Sequence, residues 1–368
     1  MKIKNRQQDF DKLRKEFPFF EYKTCQYHFD DTGFHASFHF NISNKYYFTP
    51  SIYISTRKIY NWGDMEKQDL DNLVFHLGMI ELISYWKLTC SPEIRILPHK
   101  LLPEQVSWWK KLYWHGLGEF LYLNGIEIPF KDLMELNSSG EILKNIQVEL
   151  NKDQVMVPIG GGKDSVVTLE LLKSGQKEVF PMAVNIRPAI SRTIENAGCD
   201  LEKSLEVKRN LDPLMLEMNQ QGFLNGHTPF SAMLAFLTVL LAVGSGIGNI
   251  ALSNESSASQ STVPETKINH QYSKSFEFEK DFDEYVRRFI HPDIRYFSFL
   301  RPINELQIAA LFSQCNQHHN SFRSCNVGSK LDQWCGACPK CLFTYLILSP
   351  FLEKAQLTSI FGSELLEK

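Results

Sequence analysis

The order of hydrophobic and polar residues differs between the first and the second half of the chain. In the first 60 residues, apolar and polar side chains alternate in three short runs, at 27–29, 34–40 and 51–55. This alternation predicts strands, and the Asp30-Asp31-Thr32-Gly33 segment predicts a hairpin turn between the first two. Between Gln68 and Lys87 the apolar residues recur every three or four positions, which predicts a helix.

Strands alternate with helices after residue 150. We predict strands at 155–159, 178–186, 204–207 and 249–253, and helices at 163–174, 190–197, 211–221 and 276–290. This alternation is typical of an α/β fold with a doubly wound parallel sheet. We therefore expect two domains, an N-terminal α+β domain at 1–150 and an α/β domain at 151–368.

One long stretch without charge raises the question of a membrane span. No charged residue occurs from Thr228 to Asn254, and the segment from Met233 to Val243 is almost wholly apolar. A helix that crosses a bilayer needs about 20 apolar residues, so this run is too short. It ends in a glycine-rich segment at 244–249, which is typical of a helix stop followed by a turn. We expect a buried helix here.

Composition and charge narrow the class of partner. Apolar residues make up 43% of the 368 residues and charged residues 22%, which is typical of a soluble globular protein. The net charge of -3 predicts neither nucleic acid nor a membrane surface as partner. The first seven residues are basic, but no apolar core or cleavage site of a signal peptide follows them. We expect a cytoplasmic protein.

A glycine-rich loop carries the strongest chemical signal. The predicted strand at 155–159 leads into Gly160-Gly161-Gly162-Lys163-Asp164-Ser165, and a helix is predicted to begin there. Glycines allow a tight turn and a close approach of the backbone to a ligand. The helix N-terminus presents free N–H groups and the positive end of the helix dipole. With the charge of Lys163 and the hydroxyl of Ser165, the segment predicts a phosphate-binding loop.

The spacing of this loop excludes two common nucleotide motifs. A Walker A loop would need glycine at Val157 and serine or threonine at Asp164, and a dinucleotide fingerprint would need glycine at Ser165. The segment instead resembles the S-G-G-x-D-S PP-loop of the ATP-pyrophosphatase superfamily, with Gly160 in place of the first serine. That resemblance implies ATP as cofactor and cleavage between its α and β phosphates.

Four cysteines near the end of the sequence have the spacing of a metal site. Cys325, Cys335, Cys338 and Cys341 form a C-x9-C-x2-C-x2-C pattern. Four thiolates can complete a tetrahedral shell around zinc and leave no open position, so the ion would be structural. An iron–sulfur cluster is the alternative. We expect the other cysteines to pack as small apolar residues, at positions 25, 90, 199 and 315.

Polar residues follow two of the predicted strands. Asn254 and Glu255 come directly after the strand at 249–253, and Asn185 lies at the end of the strand at 178–186. The carboxyl ends of parallel strands line the ligand crevice of an open α/β sheet. We assign these three residues to the cofactor site, where Glu255 could hold Mg²⁺ on ATP or contact the substrate.

Several runs along the chain together resemble one branch of the PP-loop proteins, the UDP-N-acetylmuramoyl-L-alanyl-L-glutamate epimerases of the MurL type. In the second half the resemblance rests on four runs, at 158–165, 253–256, 269–275 and 334–343. In the first half it rests on three runs, at 84–87, 108–112 and 116–120. The resemblance therefore spans most of the chain.

The resemblance implies an isomerase of peptidoglycan synthesis. Such an enzyme uses ATP and Mg²⁺ to invert the terminal L-glutamate of UDP-N-acetylmuramoyl-L-alanyl-L-glutamate. Adenylation removes the charge of the carboxylate, so that a base can take the α-proton and an acid can return it on the other face. His270, Tyr272 and Lys274 are candidates for that exchange by position only. The domain at 1–150 would contact the substrate, and the domain at 151–368 would hold ATP and a zinc-binding segment at 325–341.

Three alternatives remain open. A ligase or amidotransferase resembling 7-cyano-7-deazaguanine synthase would share the loop and the cysteines, but such a compact enzyme does not need the first 150 residues. A PP-loop enzyme that modifies tRNA would be expected to carry a domain rich in Lys and Arg, which the net charge of -3 disfavours. A module that binds nucleotide without turnover is the third alternative, and release of AMP would exclude it.

Overall fold

The structure is a computed structural model that describes residues 3–55, 62, 65–260, 271–325 and 327–366. Within this part of the chain, the helices are too short or too polar to span a membrane. The apolar segment after residue 228 forms one of these helices, as expected, and most of its side chains from Ala232 onwards are buried.

The strands of the described residues form a single mixed sheet. They are β1 (Phe19–Phe29), β2 (Gly33–Ile42), β3 (Tyr46–Phe48), β4 (Ser51–Ser55), β5 (Glu93–Ile96), β6 (Glu135–Ser138), β7 (Asn151–Pro158), β8 (Glu178–Val184), β9 (Leu205–Asn210), β10 (Ile247–Leu252) and β11 (Arg295–Ser298). The sheet order is β11-β10-β7-β8-β9-β4-β2-β1-β5-β6, and β3 pairs with β2.

The sheet has a parallel part and a mixed part. Strands β11, β10, β7, β8 and β9 are all parallel, which confirms the α/β arrangement predicted for the second half. Strand β9 pairs antiparallel with β4, so the sheet continues without interruption into the first half. Strands β4, β2 and β1 are antiparallel, and β1, β5 and β6 are parallel. A domain boundary near residue 150 stays a prediction.

Helices cover both faces of the sheet. They are α1 (Gln7–Glu16), α2 (Lys67–Glu81), α3 (Ile83–Trp86), α4 (Pro103–Gly116), α5 (Gly118–Asn124), α6 (Phe130–Leu133), α7 (Lys163–Ser174), α8 (Pro188–Asn196), α9 (Pro213–Gln220), α10 (Phe230–Gly244), α11 (Phe276–Phe289), α12 (Glu305–Ser313), α13 (Pro339–Leu348) and α14 (Lys354–Phe361). Short 3-10 helices include Ser256–Ser259 and Tyr272–Lys274.

Successive side chains of β7 point to opposite faces of the sheet and pack in two different hydrophobic cores. Met156 belongs to the large core that contains α2, α10 and α11. Val155 and Val157 point to the opposite face and pack in a smaller core with α7 and α8. Both faces of the strand are therefore buried, as expected for a parallel sheet with helices on both sides.

The hairpin between β1 and β2 forms where the sequence predicts it. The Asp30 carboxylate accepts hydrogen bonds from the backbone N–H groups of Thr32 at 2.8 Å and Gly33 at 3.0 Å. An aspartate that caps its own turn in this way fixes the hairpin locally.

Candidate functional site

The glycine loop connects the end of β7 to the start of α7. Gly161 has a φ of +79°, and a Cβ at this position would lie 3.2 Å from the Cβ of Ala189. Gly162 is the N-cap residue of α7. A Cβ on Gly160 would meet open space, so this residue leaves room above the loop. The predicted turn and helix are confirmed.

A cavity of about 400 Å³ opens at the carboxyl ends of the parallel strands, beside this loop. It is lined by side chains and backbone from both the predicted site and other segments, among them Pro158, Gly160, Gly162, Asp164, Ser165, Arg187, Ser231, Leu234, Leu252, Ser253, Asn254, Lys274, Tyr296, Arg323, Ser324, Cys325 and Lys340. Ligands of open α/β sheets bind at this edge. The cavity thus brings together much of the loop with Asn254 and Lys274.

Lys163 belongs to the loop, but its side chain is not part of the cavity lining. Its ammonium lies 2.5 Å from Asp164 and also pairs with Glu305 on α12, and the side chain is only 5% exposed. Burial lowers the pKa of Lys163, but the two neighbouring carboxylates outweigh burial and raise it. The charge of Lys163 is therefore largely neutralised inside the protein.

Two further residues assigned to the cofactor lie at strand ends without lining the cavity. The Glu255 carboxylate accepts hydrogen bonds from the backbone N–H and the hydroxyl of Ser257, the latter at 2.9 Å, and so caps a 3-10 helix. Asn185 exchanges two hydrogen bonds with the backbone of Arg209 and joins the ends of β8 and β9. Their role toward a cofactor stays a prediction.

Among the proposed proton-transfer residues that the structure describes, Lys274 lines the cavity. Burial lowers the pKa of its ammonium, and the positive charge of Lys340 lowers it further, while Asp164 and Glu255 act in the opposite direction. Within the described part of the chain the Lys274 ammonium makes no ion pair.

Arg301 holds the backbone around Lys274 in place. Its guanidinium donates to the backbone carbonyl of Lys274 at 2.8 Å and to that of Glu255 at 2.9 Å. It also forms an ion pair with Glu279 at 2.7 Å. Arg301 therefore ties together the two segments that follow β10 and precede α11.

The other two proton-transfer candidates are placed differently. Tyr272 is 7% exposed and stacks on His115 of α4 with a distance of 4.7 Å between ring centroids. Burial raises the pKa of Tyr272, and its side chain does not line the cavity. His270 lies outside the described residues.

Sequence reasoning did not assign several polar residues that line the cavity. The Ser253 hydroxyl is buried and has no hydrogen-bond partner among the described residues. Ser324 and Lys340 come from the cysteine-containing region, where their neighbours in sequence are the proposed ligands. Adjacency to the cysteines was the available signal for both.

The four cysteines predicted as ligands do come together. Their sulfur atoms all lie within 4.8 Å of one another, and the Sγ atoms of Cys338 and Cys341 are 3.5 Å apart. Burial opposes ionisation of Cys325, but backbone N–H groups of Gly328 and Cys335 lower the pKa of its thiol to about 6. Four soft sulfur donors fit zinc or an iron–sulfur cluster. The clustering is confirmed, and the identity of the ion stays a prediction.

The residues directly before Cys325 pack on the glycine loop. The backbone N–H of Arg323 donates to the carbonyl of Gly161 at 2.7 Å. The Ser324 hydroxyl oxygen lies 3.0 Å from the position that a Cβ on Gly162 would occupy. Any larger residue at Gly162 would press against this region, so the two parts of the site form one surface.

Known proteins with similar sequences agree on one family. The model of the MurL N-terminal domain matches residues 11–299, and that of the MurL C-terminal domain matches residues 311–368. A relative from Xanthomonas oryzae is 36% identical over 299 residues, and one from Salinispora tropica is 33% identical over 296 residues. Both are named UDP-N-acetyl-alpha-D-muramoyl-L-alanyl-L-glutamate epimerase. The matches cover 79% of this chain but only 65% and 64% of the relatives, just under two thirds of their length.

Proposed function

Because the chain belongs to the MurL family, we propose that it is an ATP- and Mg²⁺-dependent epimerase. Its substrate would be UDP-N-acetylmuramoyl-L-alanyl-L-glutamate, the terminal glutamate of which it would convert to the D form for peptidoglycan synthesis. The observation that carries the proposal is the cavity at the strand ends, where the glycine loop, Asn254 and Lys274 meet.

The glycine loop supports a PP-loop assignment and a nucleotide site. It joins a buried parallel strand to the N-terminus of α7, where free N–H groups favour phosphate oxygens. The Ser165 hydroxyl donates to the carbonyl of Gly162 at 3.0 Å and lies at the edge of the cavity. Asp164 is the carboxylate of the loop that lines the cavity, which makes it the first candidate to hold Mg²⁺.

Lys274 is the favoured proton-transfer residue. When bound, ATP would activate the glutamate carboxylate and make the adjacent α-proton more acidic. A lysine accepts a proton only as the neutral amine, and burial increases the neutral fraction of Lys274 by lowering its pKa. Tyr272, two residues before Lys274, stacks on His115 and so helps to hold this segment in place. A catalytic role of Tyr272 or His270 stays a prediction.

Residues 1–150 would supply part of the substrate-binding surface. The short helix Tyr272–Lys274 packs on α4, so one face of this helix contacts the N-terminal half and its last residue lines the cavity. An extended nucleotide-linked peptide needs a longer surface than the cavity alone offers. This arrangement supports a substrate path along α4.

The four cysteines would hold one structural zinc ion. Four sulfur ligands complete the coordination shell, so the ion would take no part in the reaction. Elemental analysis should find about one zinc per chain. Structural zinc binding contributes on the order of 10 kcal/mol, so Cys338→Ser should leave residues 323–341 poorly folded. A protein that contains neither zinc nor iron would contradict this part of the proposal.

The test of the whole proposal uses the purified protein with ATP, Mg²⁺ and UDP-N-acetylmuramoyl-L-alanyl-L-glutamate in deuterated water. We expect AMP and pyrophosphate as products, solvent deuterium at the glutamate α-carbon, and D-glutamate after acid hydrolysis. If exchange of the α-proton requires ATP, nucleotide binding at the glycine loop is needed for the proton transfer.

Other outcomes would identify the alternatives. Formation of AMP together with a new amide or nitrile would favour the ligase or amidotransferase. Exchange of the α-proton without ATP would contradict activation of the carboxylate as an adenylate. Absence of both AMP and exchange would remove the epimerase assignment and leave nucleotide binding to be tested separately.

A further inference from the structure

We infer that residues 323–325 and 335–341, here called the cysteine segment, form one wall of the phosphate site, with Lys340 and Ser324 binding the phosphates of the nucleotide. The cysteines would thereby position ligand-binding side chains as well as stabilise the fold. This inference rests on the proposed nucleotide function and adds binding residues that neither the loop motif nor the family match assigns.

The contact between the cysteine segment and the glycine loop is direct. The N–H of Arg323 donates to the Gly161 carbonyl at 2.7 Å, and Ser324 lies against Gly162. Cys325, the first of the four cysteines, itself lines the cavity. A ligand seated on the loop would therefore touch the cysteine segment too.

Charge is the second observation. The lysine of the loop, Lys163, is buried between Asp164 and Glu305, so little of its charge remains for a ligand. Lys340 also lines the cavity, and within the described residues it makes no ion pair. Lys340 is close enough for its charge to lower the pKa of Lys274. Lys340 therefore offers the cavity a cationic group that no carboxylate of the described residues neutralises, and a phosphate would pair with it.

Lys340 lies next to two of the cysteines in the sequence, which would connect the cysteines to phosphate binding. Cys338 and Cys341 flank Lys340 on both sides, in the first turn of α13. A metal ion held by both sulfurs would fix the backbone from which the long Lys340 side chain extends. A cation that is already in place binds phosphate with a smaller loss of entropy than a mobile one.

The experiment measures binding to the full-length protein by isothermal titration calorimetry. The probes are the α,β-methylene analogue of ATP, which cannot be cleaved at that bond, inorganic pyrophosphate and adenosine. The variants are Lys340→Met, Lys340→Arg and Ser324→Ala. The control is Lys152→Met, which removes one exposed lysine at the far end of β7, roughly 20 Å from Pro158.

We expect Lys340→Met to weaken binding of the ATP analogue and of pyrophosphate by about 10-fold or more, the value for a hydrogen bond to a charged group. Lys340→Arg should recover most of the affinity for these probes. Ser324→Ala should lower the affinity less than Lys340→Met does. Adenosine binding and the metal content per chain should stay unchanged. Lys152→Met should bind like the wild type.

Removal of the metal gives a second readout. Cys338→Ser, or treatment with a chelator, should lower the affinity for pyrophosphate together with the metal content. Because Cys338→Ser is expected to disturb the local fold as well, the Lys340 variants decide the question. Wild-type affinity of Lys340→Met for both phosphate probes would overturn the inference. A wild-type protein that binds neither probe would instead refute the proposed nucleotide function.

Discussion

Two groups of polar side chains, one in the core and one at the cavity, differ in how fully they are hydrogen-bonded. In the core beside α2, the Tyr285 hydroxyl lies 2.9 Å from Trp109 Nε1, 3.1 Å from Gln105 Nε2 and 3.0 Å from His76 Nε2. His76 Nδ1 lies 2.8 Å from the carbonyl of Asn72 and donates to it. Nε2 is therefore the acceptor for the Tyr285 proton, and each ring nitrogen has one partner.

The polar group at the cavity is different. Among the described residues, the buried Ser253 hydroxyl has no hydrogen-bond partner, and neither the half-buried Lys274 nor the exposed Lys340 makes an ion pair. Buried polar groups that lack partners cost free energy, so proteins keep few of them. The comparison indicates that the Tyr285 cluster stabilises the fold, whereas the cavity residues are arranged for a ligand. The following changes test this contrast in order of their expected effect on stability.

Tyr285→Phe should cause the largest loss of stability. It removes the acceptor of Gln105 and Trp109 and the donor to His76, and each buried group left unsatisfied costs about 1–3 kcal/mol. We expect the free energy of unfolding to fall by roughly 4 kcal/mol in urea titrations. The affinity for the ATP analogue should stay unchanged. The control is Tyr47→Phe, an exposed tyrosine, and an equal loss in both variants would contradict the structural role of the cluster.

Acid should destabilise the protein through His76. Burial lowers the pKa of His76 from 6.5 to about 4. The unfolded chain therefore binds a proton between pH 6.5 and pH 4 that the folded protein does not, and stability falls as the pH falls through this window. The loss of unfolding free energy that is due to His76 should reach about 3 kcal/mol near pH 4. His76→Gln should flatten the slope of unfolding free energy against pH, and an unchanged slope would assign the effect to other groups.

Asp164→Asn should change stability little and activity strongly. Asp164 lies in the first turn of α7 and pairs with Lys163, and Glu305 still neutralises that lysine in the variant, so the loss of stability should be about 1 kcal/mol. ATP-dependent formation of AMP should fall on the order of 100-fold, as expected for loss of a carboxylate that would hold the Mg²⁺ ion on the phosphates. Asp153→Asn, at the opposite end of β7, is the matched control. Full activity of Asp164→Asn would mean that the loop does not grip the phosphates as proposed.

Lys274→Met should have the smallest effect on stability. Lys274 makes no ion pair in the described structure, so its removal should change the free energy of unfolding by about 0.5 kcal/mol or less. Exchange of the glutamate α-proton should be lost in Lys274→Met and also in Lys274→Arg, because arginine stays protonated.

The pH dependence of exchange gives an independent test of Lys274. The rate should rise with pH as the amine loses its proton, with a midpoint below the ordinary lysine value of 10.5. Exchange that persists in Lys274→Arg with wild-type pH dependence would assign the proton transfer to another residue.

Features that depend on neighbouring residues in the sequence were predicted correctly. The hairpin at 30–33 follows from an aspartate that caps its own turn, and the strand, loop and helix from 155 to 174 follow from periodicity and glycines. The spacing of the cysteines likewise predicted their cluster. The short strands β5, β6 and β11 were not predicted, because four residues carry too little pattern and form a strand only by pairing with their neighbours.

The sequence by itself determined the parallel α/β part, the glycine loop and the set of four cysteines, because local periodicity and spacing encode each of them. Tertiary structure alone decided which side chains face the cavity. Lys163 turns to Glu305, 142 residues away, and Tyr272 stacks on His115, while Lys340 arrives from the cysteine segment. Charge pairs and ring contacts between distant segments set these orientations, and no spacing along the chain records them.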